Sequence, residues 1–511
     1  MTDRQARRQF LRSSGQTLAA LAVAPHWLRG HSGLWADDGQ RAGASGFAVS
    51  FNVAERGEPF SGRVYVILGS REAEPRLSIN WFSPPPMLAK DMTDLPAGEA
   101  VTLSLDDPST LRFPRDLQPG QFVGRTAQAL MRFNPLDRRV GDGPGNGYST
   151  PLAVSAAGRV VELQVDQLVP PEAIPESEWC RPFRASSPLL SRFHGRDVSV
   201  QGMVRFPTSY FEQRDRRYPV IYEIPGFGGD MRYGFRPEPV RESNREGVEF
   251  VRVMLDPGCP LGHHVFADSA NNGPWGTALV QEFLPAIEAE LRVIAEPRAR
   301  LLTGHSSGGW SSLWLQVTYP ELFGGVWSTA PDPVDFRDFQ RINLYRAGEN
   351  MYLDPQGARR PLARVGGQVR LWYDDFARME EVLGPGGQLH SFEAVFSQRG
   401  EDGQPRRLWD RDSGAIDAEV AESWRSYDIS EVLMREWRRL GPLLAGKLSV
   451  DMGDADTFYL EGATRRLGER LRELGSDAHV ELHPGKDHGS LMTRALVERI
   501  RAEMVDMFLR G

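Results

Sequence analysis

The chain of 511 residues is poor in cysteine and lysine and lacks the motifs that announce metal or nucleotide chemistry. Its two cysteines, Cys180 and Cys259, are too few for a disulfide scaffold and do not have the C-x-x-C spacing of zinc or redox sites. Lysine occurs only at Lys90, Lys447 and Lys486, so arginine supplies nearly all of the 60 basic residues. The arginines are spread along the whole chain, so the bias reads as composition and not as a phosphate-binding patch. A formal charge of -8 argues against nucleic-acid binding, which needs a basic face to neutralise phosphates. No run approaches the roughly 20 apolar residues of a membrane span, and no polybasic anchor is visible. H-E-x-x-H, H-x-x-E-H, EF-hand, P-loop and strand-preceded G-x-G-x-x-G patterns are missing, and the adjacent His263 and His264 would point oppositely on an extended chain. No metal and no cofactor are therefore predicted. What is present, 40% hydrophobic and 25% charged residues, is the balance of a soluble globular protein with room for two or three domains.

The amino terminus reads MTDRQARRQFLRSSGQTLAALAVAPHWLRG. Paired Arg7 and Arg8, then Phe10 and Leu11, precede a mildly apolar stretch from Leu18 to Leu28. This resembles a twin-arginine export signal, with a leader expected over 1–42. The resemblance implies a periplasmic or secreted protein that meets the twin-arginine translocation machinery. Residues 1–30 carry a charge of +4, so the remainder carries -12. Export would also place Cys180 and Cys259 where a disulfide persists. A bridge between them, stabilising by up to roughly 4 kcal/mol in the chain-entropy model, is one open pairing.

From Gly46 the pattern has a period of two. Phe47, Val49, Phe51 and Val53 alternate, as do Val161, Leu163 and Val165, with further strands expected at Val64–Leu68, Leu77–Phe82 and Val101–Leu105. This predicts a smaller all-β domain over 45–168, antiparallel and sandwich-like. Pro170, Pro171 and Pro175 mark a linker over 169–184. Beyond it strands and helices alternate: strands near Val198–Phe206, Pro219–Ile224, Val248–Leu255, Ala299–Thr303, Gly324–Ser328, Lys447–Met452 and His479–His483, and helices near Thr277–Val293, Trp310–Tyr319, Phe458–Leu474 and Leu491–Leu509. Alternation of this kind predicts an α/β domain over 185–511, a doubly wound, mostly parallel sheet with its ligand site at the carboxyl ends of the strands. A weakly patterned insertion, 332–445, is expected to cap that site.

Between a predicted strand and a predicted helix lies GHSSGG, Gly304–Gly309. In G-x-S-x-G the serine sits on a tight turn with no room for side chains two positions away, which makes Ser306 the candidate nucleophile. With YPVIYEIPGFGG (Tyr218–Gly229), FADSANNGPWG (Phe266–Gly276), GDADTFYL (Gly453–Leu460) and PGKDHGS (Pro484–Ser490), the chain resembles the α/β-hydrolase superfamily over about 185–511. The likeness is to its putative-esterase group of esterase D-like, feruloyl and enterochelin esterases and mycolyltransferases.

A serine hydroxyl needs a base, and the base needs an orienting carboxylate. The superfamily order Ser, acid, His points to His488, in the loop after the last predicted strand; His390 is its rival by order. For the acid the family pattern favours Asp456, with Asp454, Asp332 and Asp335 as alternatives. The resemblance places oxyanion donors on the backbone N–H groups of Ser307 and Phe227, with Pro225 standing where the family carries histidine. Asn271, Asn272, Trp275 and His305 are candidate substrate contacts, although Asn271 and Asn272 read equally as members of a well-bonded loop. The resemblance implies a serine carboxylesterase acting on acyl or aryl esters, with a carbohydrate-linked ester as one substrate and the β domain as a positioning or carbohydrate-binding module. The same site would serve an acyltransferase or a peptidase, and a hydrolase-fold binding protein is the reading from another class.

Overall fold

The computed structural model describes residues 46–510 apart from 54–56, 71–73, 156–157 and 242–245, so the expected export signal lies outside the described residues. The chain divides into two compact units, one running to Pro171 and including 381–384, the other holding the rest from Glu172.

In the first unit nine strands form one continuous hydrogen-bonded ladder. Phe47, Val49, Phe51, Val64, Val66, Leu68, Ala127, Ala129, Met131, Leu163 and Val165 all enter one cluster. Alternate residues of a strand share a face, so the single sheet turns one face of its strands toward a common core. Gly46–Phe51 pairs in parallel with Val160–Leu168, and the other ladder pairs are antiparallel. The strand expected at Leu77–Phe82 is absent. Pro75–Leu77 is a 3-10 turn, and Asn80 bonds Ser78 O, Ser83 O and Ser83 N–H, which closes the segment into turns. Met87–Leu95 is the strand instead.

The second unit is built on eight strands: β1 Cys180–Ser186, β2 Ser199–Arg205, β3 Val220–Ile224, β4 Val251–Leu255, β5 Arg300–His305, β6 Gly325–Thr329, β7 Leu448–Gly453 and β8 His479–His483. Their order is β1-β2-β4-β3-β5-β6-β7-β8, antiparallel at β1/β2 and β2/β4 and parallel elsewhere. This is an α/β-hydrolase arrangement, a doubly wound and mostly parallel sheet. β6 and β7 are buried along their whole length, as strands covered on both faces must be. The expected linker ends earlier than its sequence suggests, because residues 180–184 already belong to β1. The order in which strands are added reverses at β3, with β4 on one side and β5 on the other, and the crevice outside the carboxyl ends of β3 and β5 is where such sheets bind ligands.

Helices α1 Ser307–Thr318, α2 Gln388–Phe396, α3 Ile429–Leu444, α4 Glu461–Glu473 and α5 Arg494–Arg510 cover the sheet or belong to the segment between β6 and β7. That segment, weakly patterned in sequence, is held by an aromatic core. Phe396 packs 5.3 Å from Phe336, 5.1 Å from Trp424 and 5.2 Å from Trp310 of α1. The open Cys180–Cys259 pairing is not formed. Both cysteines are buried; Cys180 Sγ faces Gly234 O at 3.8 Å, and Cys259 Sγ faces Asn272 Oδ1 at 3.5 Å.

Candidate active site

Ser306 connects β5 to α1 with φ 61° and ψ -126°, a left-handed conformation that costs a non-glycine residue energy and projects its side chain out of the turn. The glycines around it make this turn feasible. A Cβ on Gly304 would lie 2.1 Å from Gly308 O, and one on Gly308 would lie 1.9 Å from Ile224 O. The backbone after β3 also passes close, since a Cβ on Gly226 would lie 3.1 Å from Ser306 Cβ and 3.7 Å from its Oγ. Phe227 follows Gly226 in that turn, and Ser307 opens α1 next to Ser306.

β7 and β8 deliver the other two groups. Asp456 is fully buried after β7; its Oδ2 accepts from His488 Nδ1 at 2.7 Å, and its Oδ1 accepts from Phe458 N–H at 2.8 Å. His488 is itself buried, and the edge of Phe458 meets its ring at 5.0 Å. Burial opposes the charged imidazolium, but the charge and hydrogen bond of Asp456, aided by Asp332 and Asp487, outweigh it and raise the His488 pKa above its ordinary value.

The alternative residues have other partners. Asp454 is exposed and accepts from Gly485 N–H at 2.7 Å, whereas Asp335 accepts from Arg337 N–H at 3.0 Å. His390 lies 3.8 Å from Glu380. His305 Nδ1 meets Thr329 Oγ1 at 3.1 Å and its ring lies 4.7 Å from that of His488. Burial first, then the charge of His488, lowers its pKa to about 3, so it stands beside the site as a neutral ring.

Three of the candidate substrate contacts are tied into the protein framework. Asn271 Nδ2 donates to Ala394 O at 3.2 Å and Ser397 O at 2.9 Å, joining its loop to the end of α2. Asn272 engages Cys259 through Oδ1 and His194 through its carbonyl. Trp275 is stacked on His264 with ring centroids 3.8 Å apart. Asn271 Nδ2 and Asn272 Oδ1 thus serve loop anchoring, whereas Asn271 Oδ1, Asn272 Nδ2 and Trp275 Nε1 are buried without a hydrogen-bond partner.

Two sets of contacts escape sequence reasoning, one of them made by Asp332, which the sequence offers only as an alternative acid. Asp332, after β6, is buried beside the elbow; it accepts from Ser307 Oγ at 2.5 Å and, at 3.4 Å, from Gln388 of α2. Burial pushes its pKa up to about 6, against the lowering effect of the Ser307 hydrogen bond and the His488 charge. His263 Nδ1 accepts from Val265 N–H, which leaves Nε2–H to donate to Pro225 O at 3.0 Å. A histidine from a different loop thus braces the turn that begins at Pro225. Neither set leaves a periodic or motif signal, since the contacts join residues 25 to 56 positions apart.

A family model described as Putative esterase matches residues 194–488. No curated protein matches the sequence. Similar solved structures include a ferulic acid esterase (15% identity, 65% of this chain and 99% of that one, TM-score 0.38) and an S-formylglutathione hydrolase from Agrobacterium tumefaciens (15% identity, 64% and 94%, TM-score 0.37). A ferulic acid esterase from Anaeromyces mucronatus, solved with ferulic acid, is 13% identical over 66% of this chain and 93% of that one, with a TM-score of 0.33.

Proposed function

The chain belongs to the putative esterase family and is a carboxylic-ester hydrolase; from that premise we propose that it acts as a serine esterase through an acyl-enzyme formed on Ser306. In this reading Ser306 Oγ attacks the ester carbonyl carbon while His488 Nε2 takes its proton, and Asp456 holds the opposite ring nitrogen as N–H. The oxyanion is received by the backbone N–H groups of Ser307 and Phe227. His488 returns the proton to the departing alkoxide, releasing the alcohol. Water, deprotonated by the same nitrogen, then attacks the acyl carbon and frees the acid and Ser306.

The observation that carries the reading is the 2.7 Å bond from His488 Nδ1 to Asp456 Oδ2, between two buried side chains, in a chain whose elbow serine is held at φ 61°. Turnover of p-nitrophenyl acetate and covalent labelling by a fluorophosphonate test it. Ser306→Ala is expected to abolish labelling and lower kcat by about 10⁴-fold or more, and undiminished turnover in that variant rejects the proposal.

The substrate class we propose is an acyl or aryl ester carried on carbohydrate, to be checked by ranking kcat/KM for feruloyl, acetyl and siderophore-type esters. We further propose export by the twin-arginine machinery to the periplasm or beyond, directed by residues 1–42. Replacing Arg7 and Arg8 together by lysine should then hold the protein in the cytoplasm, and unaltered fractionation would reject export by this route.

A further inference from the structure

The parallel pair β7/β8 carries a polar cluster that the esterase reading does not use. Ser449, Asp451 and Gly453 of β7 lie in register with His479, Glu481 and His483 of β8. Alternation along both strands puts these six positions on one face, with Val480 and Leu482 on the other. Val480 packs against Gly468 of α4, whereas the polar face meets α5, where Arg499 bonds Asp451 and Glu503.

The donor atoms on this face form a closed ring. His479 Nε2 lies 3.3 Å from Glu481 Oε2, which lies 3.8 Å from His483 Nε2. His483 Nε2 lies 2.7 Å from Asp451 Oδ1, which lies 3.9 Å from His479 Nε2. The ligating atoms of Asp451, His479 and Glu481 all fall within 4.8 Å of one another. A tetrahedral ion with bonds of about 2.0–2.2 Å separates its ligands by about 3.3–3.6 Å, so these spacings need only small side-chain rotations to converge.

Two orphaned atoms on the same face give independent support. Asp451 is fully buried with no partner for Oδ2, and the neighbouring buried Ser449 Oγ also has none. A shielded carboxylate with unused acceptor capacity calls for a cation or a bound solvent molecule. The charge agrees: Asp451, Glu481 and Glu503 outnumber the single guanidinium of Arg499 by two. His479 and Glu481 are about half exposed, which leaves a route of entry.

We propose that β7 and β8 form a binding site for one borderline divalent transition cation of the zinc type, ligated by His479, Glu481 and Asp451 with His483 as a fourth donor. Two imidazoles favour zinc over calcium or magnesium, which prefer all-oxygen shells. Binding would replace the His483 to Asp451 hydrogen bond with coordination, while Arg499 keeps its second anchor on Glu503. The cation would tie the edge strand β8 to β7, the two strands that lead to His488 and Asp456, and so act as a structural clamp.

The test is Zn²⁺ titration of the chelator-treated full-length protein, by calorimetry and by thermal melting, with Co²⁺ absorption reporting four-coordinate geometry. One saturable Zn²⁺ per chain, a Tm that rises with Zn²⁺, and no competition from excess Ca²⁺ or Mg²⁺ are expected. His479→Ala and Glu481→Ala should each weaken binding by about tenfold or more, while His488→Ala should bind normally. Both mutated side chains are about half exposed, so metal-free melting near the wild-type Tm would show that the variants are folded. Absence of saturable binding, unchanged affinity in His479→Ala, or loss of binding in His488→Ala would overturn the assignment.

Discussion

The most demanding test of the proposed mechanism is Asp456→Asn, because the surroundings of this residue decide how the replacement must sit. Oδ1 of Asp456 receives Phe458 N–H at 2.8 Å and, more distantly, Leu460 N–H at 3.5 Å; Oδ2 receives His488 Nδ1 at 2.7 Å. Asparagine has one acceptor for these two positions. With its oxygen toward Phe458, its NH₂ faces His488 Nδ1, which must then accept, and the ring proton moves to Nε2. Nε2 is the atom that has to take the Ser306 proton, so this tautomer is idle. Turning the amide over would instead press NH₂ against a backbone N–H and leave a buried donor unsatisfied, at about 1–3 kcal/mol. Since about 1.4 kcal/mol is a factor of ten, the idle arrangement dominates. That preference alone is a loss of about tenfold to a hundredfold, and removal of the carboxylate charge that stabilises the imidazolium adds to it, so a fall of about 10⁴ in kcat is expected, with little change in KM, equivalent to about 5.5 kcal/mol of transition-state stabilisation. Steady-state hydrolysis of p-nitrophenyl butyrate across pH, with Tm as the folding control, measures it. Removing the Asp456 charge also lowers the His488 pKa, so residual activity should extend to lower pH. A loss under about tenfold, or a larger loss in Asp332→Asn than in Asp456→Asn, would refute the assignment of the orienting carboxylate.

The parts of the site that share local grammar were readable in the chain. The elbow glycines are required by contacts within four residues and with the two neighbouring strands β3 and β6, and the motif and its flanking strand and helix stand together in the sequence. Asp456 and His488 follow their strands at short range; chain order left His390 as a rival to His488, and the family pattern favoured Asp456 over Asp454, Asp332 and Asp335. What escaped depends on contacts between distant segments. The Asp332 to Gln388 contact spans 56 residues across a segment without clear periodicity. β1 reads CRPFRAS, whose proline and arginines suggest a linker, yet an edge strand is paired on one side only and tolerates both. Asn271 and Asn272 were readable as polar groups near an acyl pocket, but only the position of α2 reveals that Asn271 is a tether. In the first unit, period two located strand residues correctly at Phe47–Phe51. The parallel partnership of that strand with Val160–Leu168, more than a hundred residues away, left no local trace.

Two further predictions concern the frame of the site. In Gly308→Ala the new Cβ would lie 1.9 Å from Ile224 O and 2.7 Å from Pro225 O, both backbone atoms at the end of β3. A loss of about 3 kcal/mol or more is expected, and a urea midpoint equal to that of the wild type would contradict it. Asp332→Asn should act with the opposite sign and depend on pH. Burial raises the Asp332 pKa from 3.8 to about 6, so the folded state binds the proton more tightly than the unfolded chain. The carboxyl group therefore imposes no penalty below about pH 4, a growing one between about pH 4 and 6, and a constant one above, of the order of 3 kcal/mol. Asparagine keeps an oxygen for the Ser307 hydroxyl but cannot ionise, so the variant should gain Tm near pH 8 and gain nothing near pH 4. Because the Asp332 charge also helps hold the His488 pKa up, the acid limb of kcat/KM should move to lower pH in the same variant. Equal melting shifts at both pH values would show that the carboxylate is not paying a burial penalty, and an unmoved acid limb would show that its charge does not reach His488.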